Sequence, residues 1–196
     1  MVHATPLYLA SASPRRQALL RQLGIAFEVL APDVAEEPEA GEAPDAYAAR
    51  LAHAKARAGA ALARRRGLAP RPVLGADTVV VLEGRILGKP RDRAHGLDML
   101  RRLSGRAHEV LTAVCLLTQD ARYEAVARSR VVFAPLSRAE IECYWATGEP
   151  ADKAGAYAIQ GRAAAFIERI EGSYTGIVGL PLFELAQLLK AMNGEK

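Results

Sequence analysis

Leu7-Tyr8-Leu9-Ala10-Ser11-Ala12-Ser13-Pro14-Arg15-Arg16 reads as an apolar strand that turns sharply into a helix. Ser13 suits the N-cap and Pro14 the first helical position. Arg15 and Arg16 then fall in the first turn, where the helix macrodipole already places partial positive charge. Two guanidinium groups, free backbone N–H groups and the hydroxyls of Ser11 and Ser13 converge on one spot. A bound anion resolves that conflict, and phosphate is the usual one. The competing reading is an exposed turn whose arginines are merely solvated.

Outward from this unit, strands and helices keep alternating. The pattern predicts a strand near 7–11, a helix near 14–23 stopped by Gly24, and a strand over Ile25–Leu30. Residues 31–43 are acidic and rich in Pro and Gly, hence a loop. A long helix over 44–66 follows, then an apolar strand over 72–82 whose Glu83-Gly84 turn opens a hairpin. Asp92 caps a helix that ends before Gly105, and strands near 107–118 and 123–134 come next. Ser137-Arg138-Ala139-Glu140 is a capping box for a helix stopping around Gly148. Residues 148–162 are polar, glycine-rich and aperiodic. A strand near 163–170, a loop over 171–180 and a helix over 181–192 close the series. The expected fold is α/β around a mixed sheet, with residues 1–196 forming one domain with room for two lobes.

At 196 residues the chain is long enough to bury a sizeable core, and with 51% hydrophobic and 24% charged residues its balance is that of an ordinary soluble protein. No apolar run approaches membrane-spanning length, and the N-terminus shows no signal-peptide pattern. Cys115 and Cys143 form no metal-spaced pair, so a reduced, cytoplasmic setting is expected. The net charge of +4 permits a nucleic-acid partner without requiring one. Arg64-Arg65-Arg66 ends the long helix, where cations are favoured, and helix stabilisation explains it more simply than DNA binding. The chain has 21 arginines and five lysines: Lys55, Lys89, Lys153, Lys190 and Lys196. The first three lie in or beside polar motifs. That choice suits places where a compact point charge is needed.

Asp77 lies within Val73-Leu74-Gly75-Ala76-Asp77-Thr78-Val79-Val80-Val81-Leu82. A carboxylate in so apolar a strand is costly unless paired or metal-bound. It is either half of a structural ion pair or a general base or metal ligand at a cleft floor. Glu36 and Glu37 sit in the acidic loop, where solvation is the default. Lys55 reads by default as an exposed helical lysine. Lys89, before Pro90, has an extended backbone suited to reaching into a cleft. In Asp152-Lys153-Ala154-Gly155-Ala156-Tyr157-Ala158-Ile159-Gln160-Gly161 the glycines permit close backbone approach to a ligand, and Gln160 offers both donor and acceptor to a base edge. His108 lies on a strand without a partner motif and reads as structural. Phosphate-loop, dinucleotide, zinc-peptidase and serine-elbow signatures are absent.

Together these segments resemble the Maf family of nucleoside triphosphate pyrophosphatases. The matching pieces run in order through Ser11-Ala12-Ser13-Pro14-Arg15-Arg16, Glu36, Lys55, Gly75-Ala76-Asp77-Thr78, Lys89-Pro90, Leu103-Ser104-Gly105, Thr112, Asp152 to Gly161, Gly172-Ser173-Tyr174 and Val178-Gly179-Leu180-Pro181. The resemblance implies a two-lobed α/β fold with a long twisted sheet and a central cleft, similar to inosine triphosphate pyrophosphatases. It implies hydrolysis of a nucleoside triphosphate to the monophosphate and pyrophosphate, with a divalent cation, Mg or Mn, as cofactor. A role in nucleotide-pool cleansing or in restraining cell division goes with it, as does a homodimer.

The Tyr157-x-Ile159-Gln160-Gly161 form resembles the subgroup acting on dTTP and UTP, with CTP and modified pyrimidine nucleotides as further substrates. In that reading Asp77 is the proton acceptor, and Lys55 and Lys89 are catalytic cations. Ser11, Ser13, Arg15, Arg16, Thr78 and Gln160 bind substrate, Arg16 through charge and Arg15, Thr78 and Gln160 through substrate choice. Glu36 and Asp77 hold the metal. Two positions depart from the family pattern: Ala35 stands where many members carry Asp, and Gly176-Ile177 where many carry Asn-Val. The alternatives are a purine-directed pyrophosphatase, acting on inosine or 7-methyl-guanosine triphosphate, and a non-enzymatic septation regulator.

Overall fold

A computed structural model describes residues 5–195. Lys196, and residues 1–4 of the signal-peptide reading, lie outside them. The chain opens with β1 (Leu7–Leu9), α1 (Pro14–Gln22), β2 (Phe27–Val29) and the long α2 (Pro44–Arg65). β3 (Val73–Leu82) turns into β4 (Arg85–Leu87) through Glu83 and Gly84, both at positive φ (52° and 75°), as a tight hairpin turn requires. Next come α3 (Arg93–Leu103), β5 (Ala107–Leu117), β6 (Arg122–Phe133) and α4 (Arg138–Ala146). Three 3-10 turns follow at Glu149–Asp152, Ala154–Ala156 and Arg162–Phe166. β7 (Ile167–Glu171), α5 (Tyr174–Val178) and α6 (Leu182–Met192) complete the fold.

The caps read from sequence are present. Ser13 Oγ accepts from Arg16 N, Asp92 from His95 N, and Ser137 and Glu140 form the reciprocal capping box. Two expectations need correction. The strand expected at 163–170 begins only at Ile167, because the N–H groups of Arg162 and Ala164 are taken by Glu149 and the Gly161 carbonyl in a 3-10 turn. The expected loop 171–180 contains α5, whose N-cap Ser173 accepts from Gly176 N at 3.0 Å. A five-residue helix is too short to show a period, so only its cap marks it.

The sheet has seven strands in the order β2-β1-β3-β5-β6-β7, with β4 also paired to β3. β1 runs parallel to β2 and β3, and every other pairing is antiparallel. This is the mixed α/β sheet expected from the sequence. β5 covers one edge of β3 from Val73 to Val81. On the opposite edge β1 pairs only as far as Leu74, and β4 pairs from Val80 onward. Residues 75–79 are thereby left without a strand partner on that edge, among the described residues. The sheet is split there, and Asp77 and Thr78 lie in the split.

The two faces of the sheet are covered unequally. Leu51, Ala52 and Ala56 of α2 pack on Val79, Val81, Leu111 and Ala113. The larger core on the other face joins Leu20 of α1, Leu97 and Leu100 of α3, Ile141 of α4 and Leu185 of α6 to Leu74, Val80 and Val114. Among the described residues no helix is long and apolar enough to cross a membrane.

α2 touches β3 backbone to backbone. A Cβ added at Gly75 would meet the Ala52 carbonyl oxygen at 2.1 Å and the Ala56 nitrogen at 2.6 Å. Main-chain atoms cannot rotate away, so a side chain here displaces the helix. Gly75→Ala is expected to cost about 3 kcal/mol, the upper end of overpacking penalties, read as a fall in urea midpoint at constant slope. A variant of wild-type stability would show that α2 shifts without cost.

Candidate active site

The split in the sheet opens into a cleft of about 500 Å³. β1 ends at its rim, and the chain turns there into α1. Ser13 N donates to Ser11 Oγ at 3.2 Å, and Arg16 N donates to Ser13 Oγ at 3.4 Å, fixing the turn. Arg16 then reaches across the split. Its Nε donates to the Gly179 carbonyl at 2.8 Å, Nη1 to Ser11 Oγ at 3.1 Å and Nη2 to Thr78 Oγ1 at 3.4 Å. Burial pulls this guanidinium below its ordinary pKa, against the attraction of Asp77. Arg15 also lines the cleft, but its side chain makes no hydrogen bond or ion pair among the described residues. The adjacent arginines therefore differ: Arg16 braces three segments together, and Arg15 is uncommitted.

Asp77 projects from β3 toward α2, on the face of Val79 and Val81. Lys55 comes from α2 to meet it, with Nζ 2.6 Å from Asp77 Oδ1 and 2.5 Å from Glu36 Oε1. The Lys55 side chain is only 12% exposed and that of Asp77 only 9%, so Lys55 is not the exposed helical lysine of the default reading. Burial raises the Asp77 carboxyl above its ordinary value even though Lys55 and Arg16 pull the other way. Asp77 Oδ2 makes no hydrogen bond among the described residues. At Glu36 burial also pushes upward, but the hydrogen bond and charge of Lys55, aided by Lys89, hold the carboxyl below its usual range. Lys89 Nζ stands 3.6 Å from Glu36 Oε2.

Helix α2 also explains why Glu36 is not simply solvated. Tyr47 Oη donates to the Glu36 carbonyl at 2.7 Å, and Arg50 Nη2 donates to the Glu37 carbonyl at 3.0 Å. Arg50 is itself held by both Glu42 oxygens at 2.6 and 2.7 Å. The acidic loop is thus strapped to the helix that carries Lys55. These links join residues 8 to 13 positions apart, and no local pattern in the sequence marks them.

The far wall comes from residues 152–161. Lys153, Tyr157 and Gln160 line the cleft, and Lys153 contacts Asp152. Gly155, at φ 68°, donates its N–H to the Gly88 carbonyl at 3.0 Å and lies against Val80, tying this wall to the hairpin. Tyr157 Oη is 2.8 Å from Nε2 of buried His108. His108 is therefore structural, as its strand position suggested, but it anchors a cleft wall. Thr112 Oγ1 donates to the Gly176 carbonyl at 2.7 Å and is 3.0 Å from Thr78 Oγ1, seating Thr78.

All ten residues selected from sequence line this one cleft: Ser11, Ser13, Arg15, Arg16, Glu36, Lys55, Asp77, Thr78, Lys89 and Gln160. Lys153 joins them, and the scarcity of lysine in the chain is the signal that marks it. With Arg15, Arg16, Lys55, Lys89 and Lys153 against Glu36, Asp77 and Asp152, cations outnumber carboxylates five to three. The arrangement suits a polyanion, while Val80, Val110, Ile159 and Val178 supply an apolar floor. Among the described residues no three His, Cys, Asp or Glu side chains stand together as a metal-holding group. Glu36 and Asp77 do present two hard oxygen donors side by side. A divalent cation such as Mg is ordinarily held by one or two carboxylates completed by substrate phosphates.

The family model described as "Maf-like protein" matches residues 6–192. The chain is 54% identical over 203 residues to the dTTP/UTP pyrophosphatase of Burkholderia pseudomallei (strain 1710b), covering 97% of each chain. It is 51% identical over 189 residues to the dTTP/UTP pyrophosphatase of Salmonella typhimurium, covering 96% of this chain and 94% of the relative. The solved structure of the Staphylococcus aureus Ham1 protein overlaps 98% of this chain and 100% of that one, at 11% identity and a TM-score of 0.49.

Two outcomes follow from this geometry. Lys55→Met leaves Asp77 buried without its nearest cation, and about 3 kcal/mol of stability should be lost at pH 7. Lys55→Met/Asp77→Leu should recover most of it in the same unfolding assay. Burial lowers the His108 pKa to about 4 from 6.5. Between those values the unfolded chain binds a proton that the folded chain refuses. Stability should therefore fall as the pH drops from 6.5 toward 4, by about 3 kcal/mol from this group. His108→Leu should lack that part of the slope when urea unfolding is compared from pH 7 to pH 4.

Proposed function

The chain belongs to the Maf-like protein family, and from that premise we propose that it hydrolyses dTTP and UTP to the monophosphate and pyrophosphate. It is a hydrolase acting on nucleoside triphosphates. The observation that carries the chemical reading is Lys55 bridging the buried Asp77 carboxylate to the more exposed Glu36 in a cationic cleft.

Phosphoanhydride hydrolysis requires a positioned substrate, neutralised charge and an activated water. In this reading the triphosphate lies along the α1 turn, held by Ser11, Ser13 and the backbone N–H groups there, with Arg15 as the free cation. Arg16 keeps the turn, Thr78 and the Gly179 loop in register while adding its charge. Asp77 takes the proton of the water that attacks the α-phosphorus. Its raised carboxyl pKa brings it nearer to neutral pH, as a general base needs. Lys55 and Lys89 neutralise charge gathering on the departing pyrophosphate. Glu36 and Asp77, completed by the substrate phosphates, would hold Mg or Mn, which supplies further charge neutralisation when bound. The Gln160 amide meets the edge of the pyrimidine ring. A cytoplasmic enzyme that clears surplus or non-standard pyrimidine nucleotides fits this chemistry.

The purine-directed alternative is not favoured, since the curated relatives named above are dTTP/UTP pyrophosphatases. A regulator acting through nucleic acid lacks support as well. Only 6% of residues are aromatic, too few for a stacking platform.

A panel of nucleoside triphosphates with Mg or Mn, assayed for pyrophosphate and monophosphate, tests the reading. dTTP and UTP should be turned over in preference to ATP, GTP and ITP; purine preference would sink it. Asp77→Asn should lower kcat by about 10²–10⁴-fold, the usual contribution of a positioned base, while the protein stays folded. Near-normal turnover would remove Asp77 from the mechanism.

A further inference from the structure

Gln160 lines the cleft, yet its side chain makes no hydrogen bond among the described residues. Its placement is set by the backbone on either side, and both sides hang from one carboxylate. Glu149 begins the first 3-10 turn after α4. Its Oε1 accepts from Tyr144 Oη at 2.6 Å, and its Oε2 accepts from the Arg162 N–H at 3.0 Å. The same Tyr144 hydroxyl accepts from the Ala158 N–H at 3.1 Å. Residues 158 and 162 stand two places before and two places after Gln160. A Cβ at Gly161 would lie 2.1–2.4 Å from the Glu149 carboxylate atoms, so the carboxylate rests on a bare Cα. The Gly161 N–H closes the loop on the Ala158 carbonyl at 3.0 Å.

The support beneath Glu149 is packed and hydrogen-bonded. Tyr144 is buried on α4 and packs edge-on against Phe166 at 5.2 Å. Gly148, at φ 76°, turns the chain back, and Thr147 Oγ1 accepts from Glu149 N at 3.2 Å. A charged acceptor with two oxygens is needed because two donors approach from different segments. Hydrogen bonds to a charged acceptor are stronger than those between neutral groups.

We propose that Glu149, together with Tyr144, is a positioning residue for substrate choice: its carboxylate fixes where the Gln160 amide meets the pyrimidine edge. Neither side chain lines the Gln160 cleft, so both act through the loop and not on the substrate. The proposal rests on the base-reading role given to Gln160 above.

The test compares kcat/KM for UTP with that for the triphosphate of 2-pyrimidinone riboside, which lacks the 4-oxygen. Wild type, Gln160→Ala, Glu149→Ala, Glu149→Gln, Tyr144→Phe and Glu149→Ala/Gln160→Ala are assayed, with melting temperatures recorded. Gln160→Ala should cut the preference for UTP about threefold to tenfold, the scale of one neutral hydrogen bond. Glu149→Ala and Tyr144→Phe should cut it similarly while turnover of the analogue stays within about twofold, and Glu149→Gln, which keeps one acceptor, should fall between. The double variant should lose no more than Gln160→Ala alone. If Gln160→Ala lowers the preference but Glu149→Ala and Tyr144→Phe lower both substrates equally, the positioning role is overturned and the Gln160 reading stands. Additive losses in the double variant overturn it as well. If Gln160→Ala itself leaves the preference unchanged, the base-reading role fails first and the positioning role falls with it.

Discussion

Helix α2 lies on β3 with no side chain between them at Gly75, where the Ala52 carbonyl would be 2.1 Å from an added methyl group. Lys55 sits between the two helix residues that make this contact. The close approach delivers its ammonium group to Asp77 and Glu36 at 2.6 and 2.5 Å. Asp77 could not remain ionised in so apolar a strand without a cation of this kind. The same helix holds the acidic loop through Tyr47 and Arg50. Moving α2 outward would therefore carry Lys55 and the strapped Glu36 away from Asp77 together. The fold concentrates its electrostatic dependence on one helix–strand contact.

The split along β3 turns that contact into a site. A continuous sheet would cover the edge of residues 75–79 with a strand, and Asp77 and Thr78 would lie under it. Here β1 leaves after Leu74 and β4 arrives at Val80, so two consecutive residues, which point to opposite faces, both reach one cleft. The parallel strand β1 also brings the α1 N-terminus to the rim. Arg16 spans the opening to the Gly179 loop, and the His108–Tyr157 pair fastens the far wall to β5. Each wall of the cleft is tied to the sheet by a different bond.

Local signals in the sequence were strong where the physics is local. The Ser13 cap, the Ser137–Glu140 box and the Glu83-Gly84 turn act over two to four residues, and each appears where its residues predict it. The α5 helix is not legible in the sequence because five residues carry no period. The late start of β7 is not legible either, because Glu149, 13 residues away, takes the Arg162 N–H. Asp77 was conspicuous because a carboxylate contradicts its apolar strand. Glu149 and Tyr47 were not, because an acid in a turn and a tyrosine on a helix contradict nothing.

The sequence by itself determined the alternation of elements, the α1 cap with its two arginines, and a set of polar residues matching one family in order. Composition and short-range hydrogen bonding suffice for the elements and the cap. Only the tertiary structure decided which partner each charge takes. Lys55 faces a buried carboxylate instead of solvent, Arg16 braces the cleft while Arg15 stays uncommitted, and Gln160 is carried on a loop held by Glu149. Those outcomes depend on desolvation and on contacts between segments far apart in the chain, and both exist only once α2 has docked on the sheet.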